Sequence, residues 1–272
     1  MYLGNSSDYM FYSLELKKIN PKDMADIIEA CTHVESRVWK ASENFEDYIK
    51  KQSALFYVKH HDVVVAFALF DASIKDEALI VAANECMILP EHQGVGLASI
   101  FVAIMISHIR FDRRHKREKR NYNKVIFLSL TVNFKLMLAF KRYSILTISN
   151  SFSPCPEVTQ IAYNYLEKEG ILPLEEGTPF FTKAAFPKSL RETPKVDVPF
   201  FVPLNFNLKR GDGFLYVGKI KHFFFLGVAA WIIQYKANFK FSPGLKKYLS
   251  INFSFKKRKK SSSVIYSDHL DF

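Results

Sequence analysis

The chain has 272 residues, of which 49% are hydrophobic and 24% charged, so it can bury a core, and a disordered or collagen-like protein is excluded. Its net charge is +11, and its three cysteines include no Cys-x-x-Cys pair, which argues against a disulfide scaffold and a structural zinc site. The first ten residues lack the basic and apolar regions of a signal peptide. We therefore expect a cytoplasmic protein.

The N-terminal segment predicts a strand followed by two helices. Residues 11–19 form the strand, and the next two residues begin a helix, with Asn20 as N-cap and Pro21 at the first helical position. Apolar residues at three- and four-residue spacing continue this helix. A second helix begins at Ser42, where acidic residues occupy the first turn.

A hairpin and a third strand follow. Residues 54–59 and 63–70 are rich in β-branched and aromatic side chains and predict the two arms of the hairpin, while residues 78–89 predict the next strand. His60 and His61 lie between the two arms. We interpret them as hairpin-tip residues and expect no metal site.

The middle of the chain alternates helices and strands. Residues 97–109 predict an apolar helix, 125–132 a strand, 133–143 a helix, and 157–169 a further helix. The segment that follows is rich in Pro and Phe and is expected to form loops or short strands.

The most informative junction lies between the strand 78–89 and the helix that begins at Leu97. Two glycines, Gly94 and Gly96, occupy the turn and allow the backbone to approach a ligand closely. The amides at a helix start have no intrahelical partner, and the helix dipole adds partial positive charge. The junction therefore predicts an anion site suited to a pyrophosphate.

The same junction matches the pattern Gln/Arg-x-x-Gly-x-Gly/Ala, with Gln93, Gly96 and Ala98 in the fixed places. It resembles the acetyl-CoA motif of the GNAT superfamily of N-acetyltransferases. A second family pattern, after the next strand, is matched identically at Asn133. The resemblance covers roughly residues 10–150. It implies an α/β (α+β) GNAT fold, with a mixed central sheet flanked by helices and a C-terminal extension.

The resemblance implies an acyl-CoA-dependent N-acyltransferase, with acetyl-CoA as the expected co-substrate and no metal. Two adjacent parallel strands would part, and the pantetheine arm would pair with the backbone of Met87 and Ile88. Asn133 would contact the CoA arm. The amides that would hold the pyrophosphate are those of Gln93, Gly94, Val95, Gly96, Leu97 and Ala98.

The chemistry requires a base for the attacking amine and favours an acid for the leaving thiolate. Glu85 is the candidate base, with a solvent-facing strand residue as the alternative. The usual acid of the family, a tyrosine, aligns with Phe140, and Tyr143, one turn on, is the candidate substitute. Without a substitute, the thiolate leaves unassisted or the protein is inactive.

Two neighbouring residues invite other interpretations. His92 lies beside the loop and either contacts phosphate or is a surface turn residue. Cys86 follows Glu85, but no histidine is evidently placed to activate it, so a small buried side chain is expected.

The basic and aromatic segments leave the partners open. The basic segment 110–124 is expected to be a solvated surface, or to contact the CoA 3′-phosphate or an acidic partner, with no specific nucleic acid indicated. The apolar segment 223–233 is shorter than the ~20 residues that span a bilayer. Together with the basic cluster 256–260 it leaves a homodimer, an anionic partner or peripheral membrane contact open.

We therefore divide the sequence into an acyl-CoA-binding domain, residues 1–190, and an aromatic and basic C-terminal extension, residues 191–272. The partner expected from the chemistry is an amine acceptor, either a small molecule or a protein amine. A second interpretation is a non-catalytic CoA-binding or interaction protein, which Phe140 favours. A third is a long-chain N-acyltransferase at a membrane surface.

Overall fold

The structure is a computed structural model whose described residues exclude several of the predicted segments. They are residues 2–16, 19, 21–38, 45–75, 78–102, 104–105, 124–131, 146–147, 156–176, 179–186, 207–220 and 239–243. The predicted helix 133–143, with Asn133, Phe140 and Tyr143, lies outside them, as do the segments 223–233 and 256–260.

Within these ranges, eleven strands form one sheet. In chain order they are β1 (Tyr2–Ser6), β2 (Tyr9–Glu15), β3 (Ala54–His60), β4 (Val63–Lys75), β5 (Ala78–Ile88), β6 (Lys124–Thr131), β7 (Leu146–Thr147), β8 (Leu172–Pro173), β9 (Phe181–Lys183), β10 (Gly213–Ile220) and β11 (Lys240–Phe241). Their spatial order is β11-β1-β2-β3-β4-β5-β6-β10-β9-β8, and β7 also pairs with β10.

Within the described part of the chain, four α-helices flank the sheet. They are α1 (Pro21–Val38), α2 (Phe45–Lys50), α3 (residues 97–102 and 104–105) and α4 (Pro156–Glu169). Strands β1 to β5 are antiparallel neighbours, whereas β5 and β6 are parallel. The predicted α+β class with a mixed central sheet is therefore confirmed, as are the predicted hairpin, the start of α1 and the helix α4.

The two faces of the sheet bury separate apolar clusters. Alternate residues of β6 point to opposite faces, as strand geometry requires: Val125 and Phe127 join the larger cluster with α1 and α3, while Ile126 and Leu128 pack with α4. The helix α4 contributes residues four apart, including Ala162, to that second cluster. The result is a sheet between two helical layers.

The first strand differs from the prediction. Residues 11–19 were expected to begin the sheet, but β2 spans Tyr9–Glu15 and is preceded by β1 (Tyr2–Ser6). β1 pairs with β2 on one side and, through Gly4 and Phe241, with β11 on the other, so one of its two neighbours lies more than two hundred residues away in the chain. No helix within the described ranges is both long and apolar enough to cross a membrane.

Residues beyond 150 supply further strands of the sheet, as expected. The longest of them, β10, pairs antiparallel with β6 from Phe214 opposite Thr131 to Ile220 opposite Val125. The division of the sequence at residue 190 stays a prediction.

Asp212 precedes β10 and anchors the segments around it. Its side chain is fully buried and accepts hydrogen bonds from Arg210 Nε (2.7 Å), Asn207 N (2.7 Å) and Ala184 N (3.1 Å). Although burial acts to raise it, these donors hold the pKa of Asp212 below its usual range. The carboxylate therefore stabilises the folded state above its unfolded pKa, and this contribution is lost as the pH falls through the folded value.

We expect Asp212→Ala to lower the free energy of unfolding by about 1–3 kcal/mol, because it leaves buried donors without an acceptor. Chemical denaturation at pH 7 measures the effect, and the difference from the wild type should shrink toward pH 3. Asp26→Ala, at an exposed position of the helix α1, is a comparison for acid substitution alone. A difference that persists unchanged at low pH would contradict this role of Asp212.

Candidate functional site

The strands β5 and β6 separate partway along their length. Their parallel pairing ends at Ala83 opposite Ser129. Beyond this point β5 continues to Ile88 beside β4, while β6 continues to Thr131 beside β10. This unpaired gap between the two strands is the cleft, and β5 leads from it directly into the predicted glycine loop.

A β-bulge lies where the cleft begins. In the antiparallel pairing with β4, Glu85 is opposite Leu69 and Ala83 is opposite Phe70, so Asn84 is an extra residue in β5. A bulge bends its strand and redirects the following side chains. The bulge thus occurs where β5 turns away from β6.

Two side chains from distant segments hold the bulged residue. Tyr165 of α4 donates its hydroxyl to Asn84 Oδ1 (3.1 Å), and Asn84 Nδ2 donates to Gln52 Oε1 (2.6 Å). Burial raises the pKa of Tyr165, and the neighbouring carboxylates of Glu169 and Glu85 add to the rise, so its hydroxyl stays protonated. Sequence reasoning missed these residues, and an Asn within an apolar strand was the one available signal.

The backbone of the glycine loop turns sharply at its two glycines. Gly94 and Gly96 have φ of +83° and +89°, a left-handed region that favours glycine. Gly96 is also where α3 begins, because its carbonyl accepts the first helical bond, from Ile100 N (3.1 Å). The amides of Leu97 and Ala98, in the first turn, have no intrahelical acceptor and face the helix start.

Contacts on both sides fix the loop in place. Gln93 Nε2 donates to the carbonyl of Ile88 (3.0 Å), which joins the loop to the end of β5. Arg37 of α1 pairs with Glu91 (2.7 Å), and the Tyr9 hydroxyl lies 3.1 Å from His92 Nδ1. His92 therefore has a protein partner, and the alternative of a phosphate contact gains no support from its geometry.

The helix behind the loop is anchored in the main core. Its inward residues recur at three- and four-residue spacing, as an amphipathic helix requires. Those that are buried are Leu97, Ile100, Phe101, Val102, Ile104 and Met105. The helix start is thus a rigid part of the fold, which favours preorganised binding.

Glu85 lies on β5 directly after the bulge. It is half-buried, and burial together with the nearby carboxylate of Glu35 raises its pKa to about 8. Glu35 belongs to α1 and is itself buried, with 6% of its surface exposed. A carboxyl with this pKa can accept a proton near neutral pH, as a general base must.

Cys86 is unsuited to nucleophilic chemistry. It is half-buried and packs against the main core, and burial, with the neighbouring Glu85, raises the pKa of its thiol to about 12. The reactive thiolate is therefore scarce at pH 7. The expected buried side chain is half-buried in the structure, and a nucleophilic role gains no support.

We expect Cys86→Ala to leave the rate of the predicted acyl transfer nearly unchanged. Cys86 in the native protein should react with iodoacetamide far more slowly than in the unfolded chain. Mass spectrometry of the alkylated protein, together with steady-state kinetics, measures both. A large loss of turnover combined with rapid alkylation of the native protein would show that the thiol takes part in the reaction.

The structure brings most of the predicted site together. Glu85, Met87 and Ile88 follow one another along β5, and the loop from Gln93 to Ala98 comes directly after them. The roles assigned to Tyr143 and Asn133 stay predictions. The two residues that the structure adds are Tyr165, at the bulge, and Glu35, beside the candidate base.

No family model and no curated protein matches this sequence. Solved structures do match. A ribosomal-protein-alanine N-acetyltransferase from Brucella melitensis is 12% identical, with 49% of this chain and 89% of that chain covered and a TM-score of 0.34. The loading GNATL domain of CurA from Lyngbya majuscula is 14% identical, with 79% and 98% covered and a TM-score of 0.37.

A third match is a GNAT family acetyltransferase from Elizabethkingia anophelis with acetyl-CoA bound, which is 10% identical, with 79% of this chain and 99% of that chain covered and a TM-score of 0.32. The matched structures belong to the superfamily that the motif around Gly96 resembles. The residues of the cleft, rather than this likeness, carry the functional proposal.

Proposed function

We propose that the protein is an acyl-CoA-dependent N-acyltransferase that transfers an acyl group, most simply acetyl, to an amine. The observation that carries the proposal is the separation of β5 from β6 next to the glycine loop. Beyond Ala83 no described strand pairs with this side of β5, and the first amides of a helix have no intrahelical acceptor. This combination suits a ligand with an amide-containing arm and a pyrophosphate.

The pantetheine arm of CoA fits the open edge of β5. Met87 and Ile88 are paired with Phe67 and Ala66 of β4 on one side, and among the described residues no strand pairs with them on the other. The amide groups of the arm can take the place of the missing strand. The acyl carbonyl then lies near Glu85, at the narrow end of the cleft.

The pyrophosphate fits the amides of residues 93–98. Their positive electrostatic potential comes from the helix start, and the absence of a Cβ at Gly94 and Gly96 leaves room for the phosphate oxygens. By the family resemblance, Asn133 would contact the arm.

The reaction transfers the acyl group directly. A neutral amine attacks the thioester carbon, the new C–N bond forms, and the C–S bond breaks with its electron pair on sulfur. Glu85 accepts the proton of the amine, directly or through water. The thiolate takes a proton from Tyr143 or leaves unassisted, as a thiol of pKa ~8.5 can do.

The experiment is to incubate the full chain with acetyl-CoA and a panel of amines and amino-terminal peptides, and to measure free CoA and acetylated product. Amine-dependent release of CoA supports the proposal. Binding of CoA without turnover against any acceptor class would instead favour the CoA-binding protein suggested by Phe140.

Acyl chain length is tested separately. Thermal shifts with acetyl-CoA, longer acyl-CoAs and free CoA compare the donors directly. A preference for long chains, joined to flotation with anionic vesicles that weakens with salt, would support the long-chain enzyme at a membrane surface. We propose acetyl-CoA as the donor, which a preference for long chains would overturn. We also propose a cytoplasmic location, which vesicle flotation would overturn.

A further inference from the structure

Two hairpin tips lie side by side at the end of the sheet that carries the glycine loop. The β1–β2 tip contains Ser7 and Asp8, and the β3–β4 tip contains His61 and Asp62. Backbone φ values of 50° at Ser7, 47° at His61 and 65° at Asp62 are typical of tight two-residue turns. The pairing of Tyr9 with His60 across β2 and β3 places the two tips next to each other.

Three side chains from these tips converge. One ligand atom each of Asp8, His60 and His61 lies within 4.8 Å of the other two. The rings of His60 and His61 have centroids 4.1 Å apart. Asp8 and His61 are exposed and His60 is half-buried, so the cluster is accessible from solution.

We propose that Asp8, His60 and His61 form a binding site for a divalent transition-metal ion of the Zn²⁺ class. Two imidazole nitrogens and one carboxylate oxygen are the donors that Zn²⁺ prefers, whereas Ca²⁺ and Mg²⁺ prefer oxygen donors alone. Three protein ligands leave a fourth position of the tetrahedron for water. Nothing in the acyl-transfer chemistry requires this ion.

The distances suit a site that closes on its ion. Zn–N and Zn–O bonds of about 2.0–2.1 Å place tetrahedral ligand atoms about 3.3–3.4 Å apart. The three atoms therefore approach one another by about 1.5 Å at most when the ion binds. Rotation of exposed side chains on adjoining tips can supply this movement without a change in the sheet.

One of the ligands is already oriented by its neighbours. The His60 ring packs against Tyr9, at a centroid distance of 4.8 Å, and against His92, at 5.1 Å. Such outer contacts fix the orientation of a metal-binding imidazole. His92 leads into the glycine loop, so the site adjoins the loop while its three ligands lie outside it.

This proposal departs from the expectation of no metal at these histidines. His61 lies at the hairpin tip, as expected, whereas His60 is the last residue of β3. The third ligand, Asp8, lies more than fifty residues earlier in the sequence and approaches only because β2 pairs with β3. The sequence pattern alone held two adjacent histidines and no complete donor set.

The test is calorimetric titration of Zn²⁺ into the full chain, free of any affinity tag and first treated with EDTA. The expected result is one ion bound per chain. Asp8→Asn, His60→Gln and His61→Asn should each weaken binding at least about tenfold, since even outer-shell changes cost 10–100-fold. Asparagine at 61 keeps a residue that tolerates positive φ.

His33→Gln is the matched control, because His33 is exposed on α1 and outside the cluster, and it should bind Zn²⁺ like the wild type. Thermal unfolding without metal checks that each variant is folded, and added Zn²⁺ should raise the unfolding temperature of the wild type and His33→Gln alone. No saturable binding, or binding that survives all three cluster variants, would overturn the proposal.

Discussion

Gly96→Asp is expected to abolish the stabilisation of the fold by CoA. Gly96 has φ of +89°, and an added Cβ would meet no heavy atom within 4 Å, so the substitution costs backbone strain of about 1–3 kcal/mol but causes no clash. The new carboxylate would lie beside the amides proposed to hold the pyrophosphate. Like charges repel there, and the close approach of phosphate is lost.

Thermal unfolding with and without CoA measures this effect. At a CoA concentration of 100 times Kd, the wild type gains about 2.7 kcal/mol, which corresponds to a rise of several degrees. Gly96→Asp should show no rise, although it should unfold cooperatively on its own.

Gly170→Asp is the matched control. Gly170 also has a positive φ, +66°, and also has open space around an added Cβ, but it follows α4 instead of forming the loop. It should keep the full CoA-induced rise at a similar cost in strain. A rise preserved in Gly96→Asp, or lost equally in both variants, would refute the assignment of the loop.

Glu85→Gln is expected to lower kcat by about 10²–10⁴-fold, the usual contribution of a general base. The pKa of Glu85 is raised to about 8, so the basic form accumulates as the pH rises through that value. The wild-type rate should therefore rise toward pH 8, and the variant should lose this dependence. CoA binding, measured by the thermal shift, should be unchanged.

The same substitution has a predicted effect on stability. A raised pKa means that Glu85 favours folding while it is neutral, and that this contribution is lost as the pH rises through its folded pKa. The free energy of unfolding of Glu85→Gln, taken relative to that of the wild type, should therefore be higher at pH 9 than at pH 5. Glu167 is an exposed carboxylate on α4, so Glu167→Gln should change neither rate nor stability. Full turnover by Glu85→Gln would place the base elsewhere.

Local signals predicted much of the fold. The start of α1 followed from Asn20 and Pro21, and the hairpin of β3 and β4 from two β-branched runs around the His60 tip. β1 was not predicted, because Gly4 and its polar neighbours have little β-propensity. That strand pairs with β2 across a hairpin and, on its other side, with β11, more than two hundred residues away in the chain.

The same distinction between local and long-range features applies to the candidate site. The loop around Gly96 and the position of Glu85 were predicted, because a strand, two glycines and an apolar helix adjoin in the sequence. The bulge at Asn84 was not, since it depends on the register between β4 and β5. Glu35 and Tyr165 lie on helices whose spacing predicts a buried face but not which strand residue that face meets.

The measurement that tests the central claim most directly is a crystal structure of the full chain with CoA bound. The proposal requires the pantetheine arm beside the backbone of Met87 and Ile88, with the pyrophosphate on the amides of residues 93–98 and the sulfur near Glu85. CoA bound outside the cleft between β5 and β6, or no CoA density at saturating concentration, would contradict it.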